Sequence, residues 1–147
     1  MENVGYSKRM ENRRELLKLA GLTAMTGLPL FSEGKMLPDR VTNPEQAALT
    51  QEPFGDQRVF FDGPTEQLKS MTAGSLALKP GMEPHPPHRH PEEEFLLVTE
   101  GTGEFLSGGK TTKVGPGSML YCEGNHLHGV RNTGSTPLLF YYFKWKA

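Results

Sequence analysis

The sequence contains few of the residues on which several common protein classes depend. Its 147 residues include one cysteine, which excludes an intrachain disulfide and any thiolate-rich metal site. Basic and acidic residues nearly balance, at 16 and 17, so the chain offers no polybasic surface for nucleic acid or anionic lipid. It also lacks internal repeats, low-complexity tracts and a glycine-rich phosphate-binding loop. A single domain with no nucleic-acid role is therefore expected.

Glycine and proline, by contrast, are abundant. Seventeen glycines and twelve prolines indicate many turns between short strands, which is typical of a β-sandwich or β-barrel and not of a helical bundle. Strand-like segments cover residues 57–61, 71–79, 93–100, 103–107, 110–114, 118–122, 126–132 and 138–145. The Gly108-Gly109 pair between two of these segments predicts a two-residue hairpin turn, because such turns require positive φ angles. The sequence thus predicts an all-β fold.

The segment GMEPHPPHRHPEEEFLLVTEG, residues 81–101, contains the most informative pattern. His88, His90 and Glu94 occupy positions i, i+2 and i+6, which share one face if the segment is an extended strand. Imidazole and carboxylate ligands together suit a divalent first-row ion (Fe, Mn, Ni, Cu or Zn), whereas Ca or Mg would favour oxygen ligands alone. The pattern predicts a metal site without deciding which of these ions it takes.

A second segment, GSMLYCEGNHLHGVRN at residues 117–132, gives this pattern a family context. Together the segments resemble the paired signatures of the cupin superfamily, G-x5-H-x-H-x3,4-E-x6-G and G-x5-P-x-G-x2-H-x3-N. The corresponding patterns here are Gly81-x6-His88-x-His90-x3-Glu94-x6-Gly101 and Gly117-x5-Glu123-x-Asn125-x2-His128-x3-Asn132. The first has one extra residue before His88, and the second has Glu123 and Asn125 in the places of Pro and Gly. The resemblance covers about residues 56–145, and the two replacements affect the turn before His128.

The resemblance implies the double-stranded β-helix of the cupins, a jelly-roll β-barrel. It also implies that His88, His90, Glu94 and His128 are ligands of a divalent metal ion. Such a set would leave two positions of an octahedral ion open for water, a small-molecule ligand or substrate, or dioxygen.

The neighbours of these residues fit no ligand position of the family. His85 lies in a proline-rich turn, and we expect His85 and His126 to face water. Tyr121 and Glu123 precede the last ligand, and they are candidates for a catalytic acid or hydrogen-bond donor.

These observations give three function hypotheses. The first is an exported, metal-dependent cupin enzyme that acts on a small polar or phenolic molecule, with a dioxygenase-like oxidoreductase as the leading class. The second is a non-catalytic cupin that binds a sugar or an organic acid. The third is a cupin isomerase or decarboxylase, because the superfamily spans all three activities.

Residues 1–34 resemble a twin-arginine export signal. The stretch NRRELLK, residues 12–18, is similar to S/T-R-R-x-F-L-K, and an apolar run follows at residues 19–31. That run is shorter than the about 20 apolar residues of a membrane helix, so no stable membrane span is expected after leader removal. An amphipathic helix is the alternative, but Gly21, Gly27 and Pro29 interrupt it. We expect a periplasmic or secreted bacterial protein that begins near Lys35.

The rest of the chain is interpreted as a linker or arm at 35–55, which is polar and interrupted by proline, and a barrel domain at 56–147. If Glu94 faces inward, alternation places Leu96 and Val98 inward and Phe95 outward. The run LLFYYFKW, residues 138–145, is apolar on both faces, which favours a strand buried on both sides. Either the partner in a homodimer or the arm would cover its outer face.

Overall fold

In the computed structural model, which describes residues 35–147, the chain is built from β-strands, and this part contains no α-helix. The strands are β1 (Ala48–Glu52), β2 (Gly55–Gly63), β3 (Ser70–Leu78), β4 (Glu93–Glu100), β5 (Gly103–Ser107), β6 (Lys110–Val114), β7 (Met119–Cys122), β8 (His128–Asn132) and β9 (Leu138–Lys146). Strands β2 to β9 overlap the predicted segments, with boundaries that differ by at most two residues. The predicted leader, residues 1–34, lies outside the described residues.

The strands form two antiparallel sheets that enclose one core. The larger sheet has six strands in the order β1-β2-β3-β9-β4-β7, and the smaller has three in the order β6-β5-β8. Inward-facing side chains from both sheets fill the interior: Leu76, Leu78, Leu96, Val98, Phe105, Val114, Leu120, Cys122, Leu138, Phe140 and Tyr142. This arrangement is the predicted jelly-roll β-barrel. None of the described residues belongs to a helix long and apolar enough to cross a membrane.

Strand β1 was not predicted from the sequence. It forms within the segment interpreted as an arm, and it pairs with β2 from Ala48 opposite Val59 to Glu52 opposite Gly55. Its side chains are almost all exposed, so backbone pairing at the sheet edge, and not burial, holds it in place. A strand of this kind has no apolar alternation from which it could be predicted.

The hairpin between β5 and β6 confirms the predicted turn. Gly108 and Gly109 have φ angles of 57° and 78°, and they connect Ser107 to its partner Lys110. Residues with a Cβ atom rarely adopt these angles.

Strand β4 confirms the predicted faces. Leu96 and Val98 are 5% and 2% exposed in the barrel interior, whereas Phe95 on the opposite face is 38% exposed. On strand β9 the inner residues are buried, whereas Phe143 on the outer face is 43% exposed. The cover expected for that face was a partner subunit or the arm. Within the described chain, the outer face of these strands is therefore only partly covered.

The arm covers one edge of that outer face. The Arg40 guanidinium lies 5.6 Å from the ring centroid of Phe61 on β2, and Leu37 N donates to Pro64 O at 2.9 Å near the end of the same strand. The arm thus lies along the β2 side of the sheet, and it leaves Phe143 and the strands beyond it exposed.

Candidate metal centre

The site is built around a backbone bridge between the two motif segments. His88 N donates to His128 O at 3.0 Å, and His128 N donates to His88 O at 3.1 Å. This isolated antiparallel bridge places the two imidazoles side by side, with ring centroids 4.8 Å apart. Residues that are far apart in sequence therefore meet at one point.

Residues 88–92 do not form the extended strand that was expected for His88, His90 and Glu94. Strand β4 begins only at Glu93, and the residues before it are irregular apart from the bridge at His88. Pro91 accounts for this, because proline has no N–H group to donate to a strand ladder and restricts the residue before it. The bridge and loop contacts, and not strand alternation, bring His88 and His90 towards Glu94.

The four predicted ligand side chains lie together. The His90 ring centroid is 4.7 Å from that of His128 and 5.2 Å from that of His88. Glu94 Oε2 is 3.6 Å from His90 Nε2 and 3.5 Å from His128 Nε2. The ligand atoms of His88, His90 and His128 lie within 4.8 Å of one another. Donor atoms bound to one ion at about 2.1 Å are separated by no more than about 4.2 Å, so these three histidines can hold a metal ion after small adjustments.

Backbone carbonyl groups orient two of the imidazoles. Nδ1 of His128 is 2.8 Å from His126 O, and Nδ1 of His90 is 3.1 Å from Glu92 O. A protonated Nδ1 donates in both contacts, which assigns the free lone pair of each neutral ring to Nε2, the atom that lies near Glu94. This pattern of carbonyl-oriented histidines is typical of metal ligands.

Two imidazole nitrogens in the group have unsatisfied hydrogen-bonding capacity. His128 Nε2 and His88 Nδ1 are both buried, and neither has a hydrogen-bond partner. Buried polar atoms without partners are costly and uncommon. The donor set of imidazole nitrogens and one carboxylate therefore fits a divalent first-row ion, which would satisfy His128 Nε2 directly.

The electrostatics of the group set the protonation state of each ligand. Burial, followed by the neighbouring His85 and His128, lowers the pKa of His88 to about 4. Burial acts to raise the pKa of Glu94, but interactions with His128 and His90 outweigh it and lower the pKa to about 2. Interaction with Glu94 raises the pKa of His128. At neutral pH His88 is neutral and Glu94 is ionised, so of these three ligands His128 is the one at which a proton competes most strongly with a metal ion.

The two remaining histidines occupy different surroundings. The His85 ring centroid lies 3.9 Å from that of His88, so His85 borders the metal-ligand group although its side chain is exposed, as expected. His126 is part of the loop before β8, with Nδ1 3.8 Å from Glu123 Oε2 and a side chain that is 44% exposed. Strand β8 begins only at His128, so His126 lies outside the strand, although the predicted segment at 126–132 included it.

The structure does not bring Tyr121 and Glu123 into the group. Tyr121 alternates with the buried Leu120 and Cys122 on β7 and therefore faces outward. Its hydroxyl donates to Glu93 Oε1 at 2.6 Å, and this bond raises the pKa of Tyr121. The Glu123 side chain is 72% exposed.

Cys122 borders the site without having been predicted to do so. It is the direct partner of Glu94 in the pairing of β4 with β7, and its sulfur lies within 4.8 Å of the ligand atoms of Glu94 and His128. Burial, followed by the charge of Glu94, raises the pKa of this thiol to about 12. Cys122 is therefore an uncharged neighbour of the site at neutral pH. Only the strand register, which local sequence does not contain, identifies this position.

The loop before His128 accommodates its departures from the family signature. Asn125, in the place of glycine, has a φ angle of 62°, a conformation that asparagine tolerates better than most residues. Asn125 N donates to His90 O at 2.6 Å, and Arg89 Nη1 donates to Asn125 O at 2.9 Å. The loop is thus tied to the segment that carries His90.

Asn132, the last residue of the second signature, has a structural role. Its side chain is fully buried, and its Nδ2 donates to Leu78 O and Thr136 O, both at 2.8 Å. Its Oδ1 accepts from Gly134 N at 2.9 Å. This side chain joins the end of β8 to the end of β3.

Comparison with known proteins agrees with this architecture. Residues 74–143 match the Cupin domain family, a segment that contains all four predicted ligands. No curated protein matches the chain significantly.

Solved structures with the same fold cover most of the described chain. An RmlC-like cupin from Shewanella frigidimarina has a TM-score of 0.62 and 16% identity, and the match covers 75% of this chain and 93% of that one. KdgF from Halomonas sp. also has a TM-score of 0.62 and 16% identity, with 75% and 96% covered. A Cupin 2 conserved barrel domain protein from Salinispora arenicola has a TM-score of 0.59 and 19% identity, with 76% and 92% covered. At these identities the likeness shows the fold alone.

Proposed function

We propose that this protein is a member of the cupin superfamily that binds a divalent first-row metal ion through His88, His90, Glu94 and His128. The observation that carries the proposal is the convergence of these four side chains from two separate motifs. The orientation of His90 and His128 by backbone carbonyls supports it, because it directs both Nε2 atoms to the same carboxylate.

We further propose that the protein is a metal-dependent, dioxygenase-like oxidoreductase acting on a small polar or phenolic molecule. The bound ion would supply Lewis-acid or redox chemistry. The protein's own residues would hold and orient that ion and keep His88 neutral at physiological pH. Phe105, which is 7% exposed with its ring centroid 6.5 Å from that of His128, would exclude water from one side of the site. An intact set of four ligands favours catalysis over a purely structural site, which does not require all of them.

Metal analysis of ligand variants tests the metal site. His90→Ala and His128→Ala should each reduce the metal content of the purified protein sharply, because the remaining ligands form an incomplete set. Glu94→Gln should reduce it less, since the amide oxygen can still coordinate. His126→Ala is the matched control, because this neighbouring histidine lies outside the group, and it should retain full metal content. Stoichiometric metal in a variant lacking both His90 and His128 would contradict the assignment.

Oxygen uptake separates the three activity classes. Metal-loaded protein should consume oxygen and convert a member of a phenolic panel, and His88→Ala should abolish turnover. Ligand recovered unchanged across redox-active metals would identify a binding protein. Product formed without oxygen consumption would identify an isomerase or decarboxylase.

Export by the twin-arginine route is proposed from the motif at residues 12–18, and this route carries proteins that are already folded. Such export would allow the metal to be bound in the cytoplasm, before Cu or Zn could compete for the site by affinity alone. Changing Arg13 and Arg14 to Lys should block export although the charge is unchanged, and N-terminal sequencing of the mature wild-type protein should begin near Lys35. Undiminished export of the double-lysine variant would contradict this route.

We also propose a homodimer formed through the outer face of β4, β7 and β9. Met119, Tyr121, Phe95 and Phe143 expose 68%, 46%, 38% and 43% of their surfaces on this face. Their strands are adjacent in the larger sheet, so the exposed side chains form one apolar surface. The arm covers Phe61 at the β2 edge, which leaves a second copy of the chain as the partner for the rest.

A further inference from the structure

A lysine lies on the inner face of the larger sheet, beside the metal-ligand group. Lys144 alternates on β9 with the buried residues Phe140 and Tyr142, so its side chain starts on the barrel's inner side. The strand register places it directly opposite Glu94 on β4 and Thr72 on β3. Lys144 is half-buried. A cation at this position is unusual, because lysine is rarely placed inward without a partner for its charge.

The described residues do not neutralise this cation. Within 4.0 Å, Glu94 pairs with His90 and His128 only, and the Lys144 ammonium group is paired with no carboxylate in residues 35–147. On the other side of Lys144 in the same row of strands, the acidic residue is Asp62, which accepts the Thr72 hydroxyl at 2.8 Å. The ammonium group is therefore left for another anion.

The charge of Lys144 lies beside the metal-ligand group. Lys144 and Glu94 face each other across β9 and β4, and Cys122, which borders the site, is the partner of Glu94 on β7, so the lysine side chain begins one strand away from the carboxylate ligand. A divalent ion with three neutral imidazoles and one carboxylate has a net charge of about +1. With Lys144 beside it, the site would attract an anion more strongly than a neutral molecule.

We propose that Lys144 selects a small carboxylate anion as the molecule bound at the metal site. This inference rests on the proposed metal site and narrows its ligand from any small polar molecule to an organic acid, including a phenolic acid. Lys144 is a specificity-determining residue in this proposal. Its ammonium group would stabilise the carboxylate charge without coordinating the metal.

A pair of probes that differ by one charge tests the proposal. Dissociation constants for 4-hydroxybenzoate and 4-hydroxybenzamide are measured by calorimetry on the Zn-loaded full chain. Wild-type protein should prefer the carboxylate, and Lys144→Gln should weaken carboxylate binding at least about tenfold, which is typical of the loss of a charged hydrogen bond. Amide binding should be unchanged, and Lys144→Arg should keep most of the preference. Lys110→Gln, which removes an exposed lysine in the β5–β6 hairpin, should behave as wild type.

The same samples separate this inference from the proposed metal site. Metal content is measured before each titration, and the titrations are repeated on chelator-treated protein. A wild-type protein that takes up no zinc would contradict the metal site. A wild-type protein that takes up zinc but shows no Lys144-dependent preference for the carboxylate would overturn this inference alone. Three results would overturn the inference. Lys144→Gln could weaken the binding of both probes equally, it could weaken the binding of neither, or the wild-type protein could bind neither probe. An effect of Lys144→Gln on metal content alone would show that Lys144 only balances Glu94.

Discussion

Individual residues in the metal-ligand group have protonation states that predict its pH dependence. Glu94, with a pKa of about 2, stays ionised throughout the physiological range, and His88, with a pKa of about 4, stays neutral. The pKa of His128 is raised above its ordinary 6.5 by Glu94. Of these three ligands, His128 is therefore the one that takes up a proton first as the pH falls.

Metal affinity should consequently fall as the pH drops through the neutral range. Because a proton at His128 competes with the ion, the apparent association constant should fall at least about tenfold per pH unit below the raised pKa. Competition with a chromophoric chelator between pH 8 and pH 5 measures this dependence. His126→Gln should show the same profile. An affinity that stays constant down to pH 5 would mean that His128 is not a ligand.

The buried side chain of Asn132 gives a second prediction for a single residue. Replacing Asn132 by alanine removes three hydrogen bonds from a fully buried position and leaves the carbonyl of Leu78 without its side-chain donor. The free energy of unfolding should decrease by about 3 kcal/mol, measured by urea denaturation. Asn125→Ala serves as a comparison at an exposed position, with a smaller expected loss. A change below about 0.5 kcal/mol would contradict the structural role of Asn132.

At the scale of elements, the loop before His128 depends on one backbone conformation. Asn125 has a positive φ angle, so Asn125→Gly should preserve stability and metal content. Asn125→Val should lower stability by about 1–2 kcal/mol, because a β-branched residue is strained there. Thermal unfolding and metal analysis of both variants measure the effect. Equal stability of the glycine and valine variants would show that the loop adjusts without cost.

Most of the elements could be predicted because their causes are local. Short runs rich in apolar residues mark β3, β4 and β9, and the Gly108-Gly109 pair marks the hairpin. Strand β1 could not be predicted in this way, since its pairing with β2 buries almost no side chain. The spacing of the family signatures identified the four candidate metal ligands, but it did not predict the backbone geometry that brings them together.

The arrangement of the site depends on contacts between distant segments, which local sequence does not contain. Pro91 ends the strand geometry assumed for His88 and His90, so their placement depends on the bridge to His128. Cys122 and Lys144 reach the site through the register of β7 and β9 against β4. Neither position has a local signal in the sequence.

At the scale of the whole molecule, the exposed apolar face predicts self-association. Phe143→Lys and Met119→Lys should each shift the protein towards monomer, because a charge buried in a two-fold interface meets its symmetry mate. Sedimentation velocity over a range of protein concentrations measures the shift. Leu49→Lys, at a residue that is 48% exposed on β1, should leave the assembly unchanged. A wild-type protein that stays monomeric at high concentration would contradict the proposed dimer.

The reciprocal bonds between His88 and His128 join main-chain atoms only. These bonds do not depend on the side chains at the two positions. A substitution at His88 or His128 can therefore change the metal ligand while the backbone keeps its conformation. Metal preference and chain geometry can in this way change separately during evolution. One barrel can accordingly give rise to relatives that bind different ions and catalyse different chemistry, while the backbone bridge between the two ligand segments is retained.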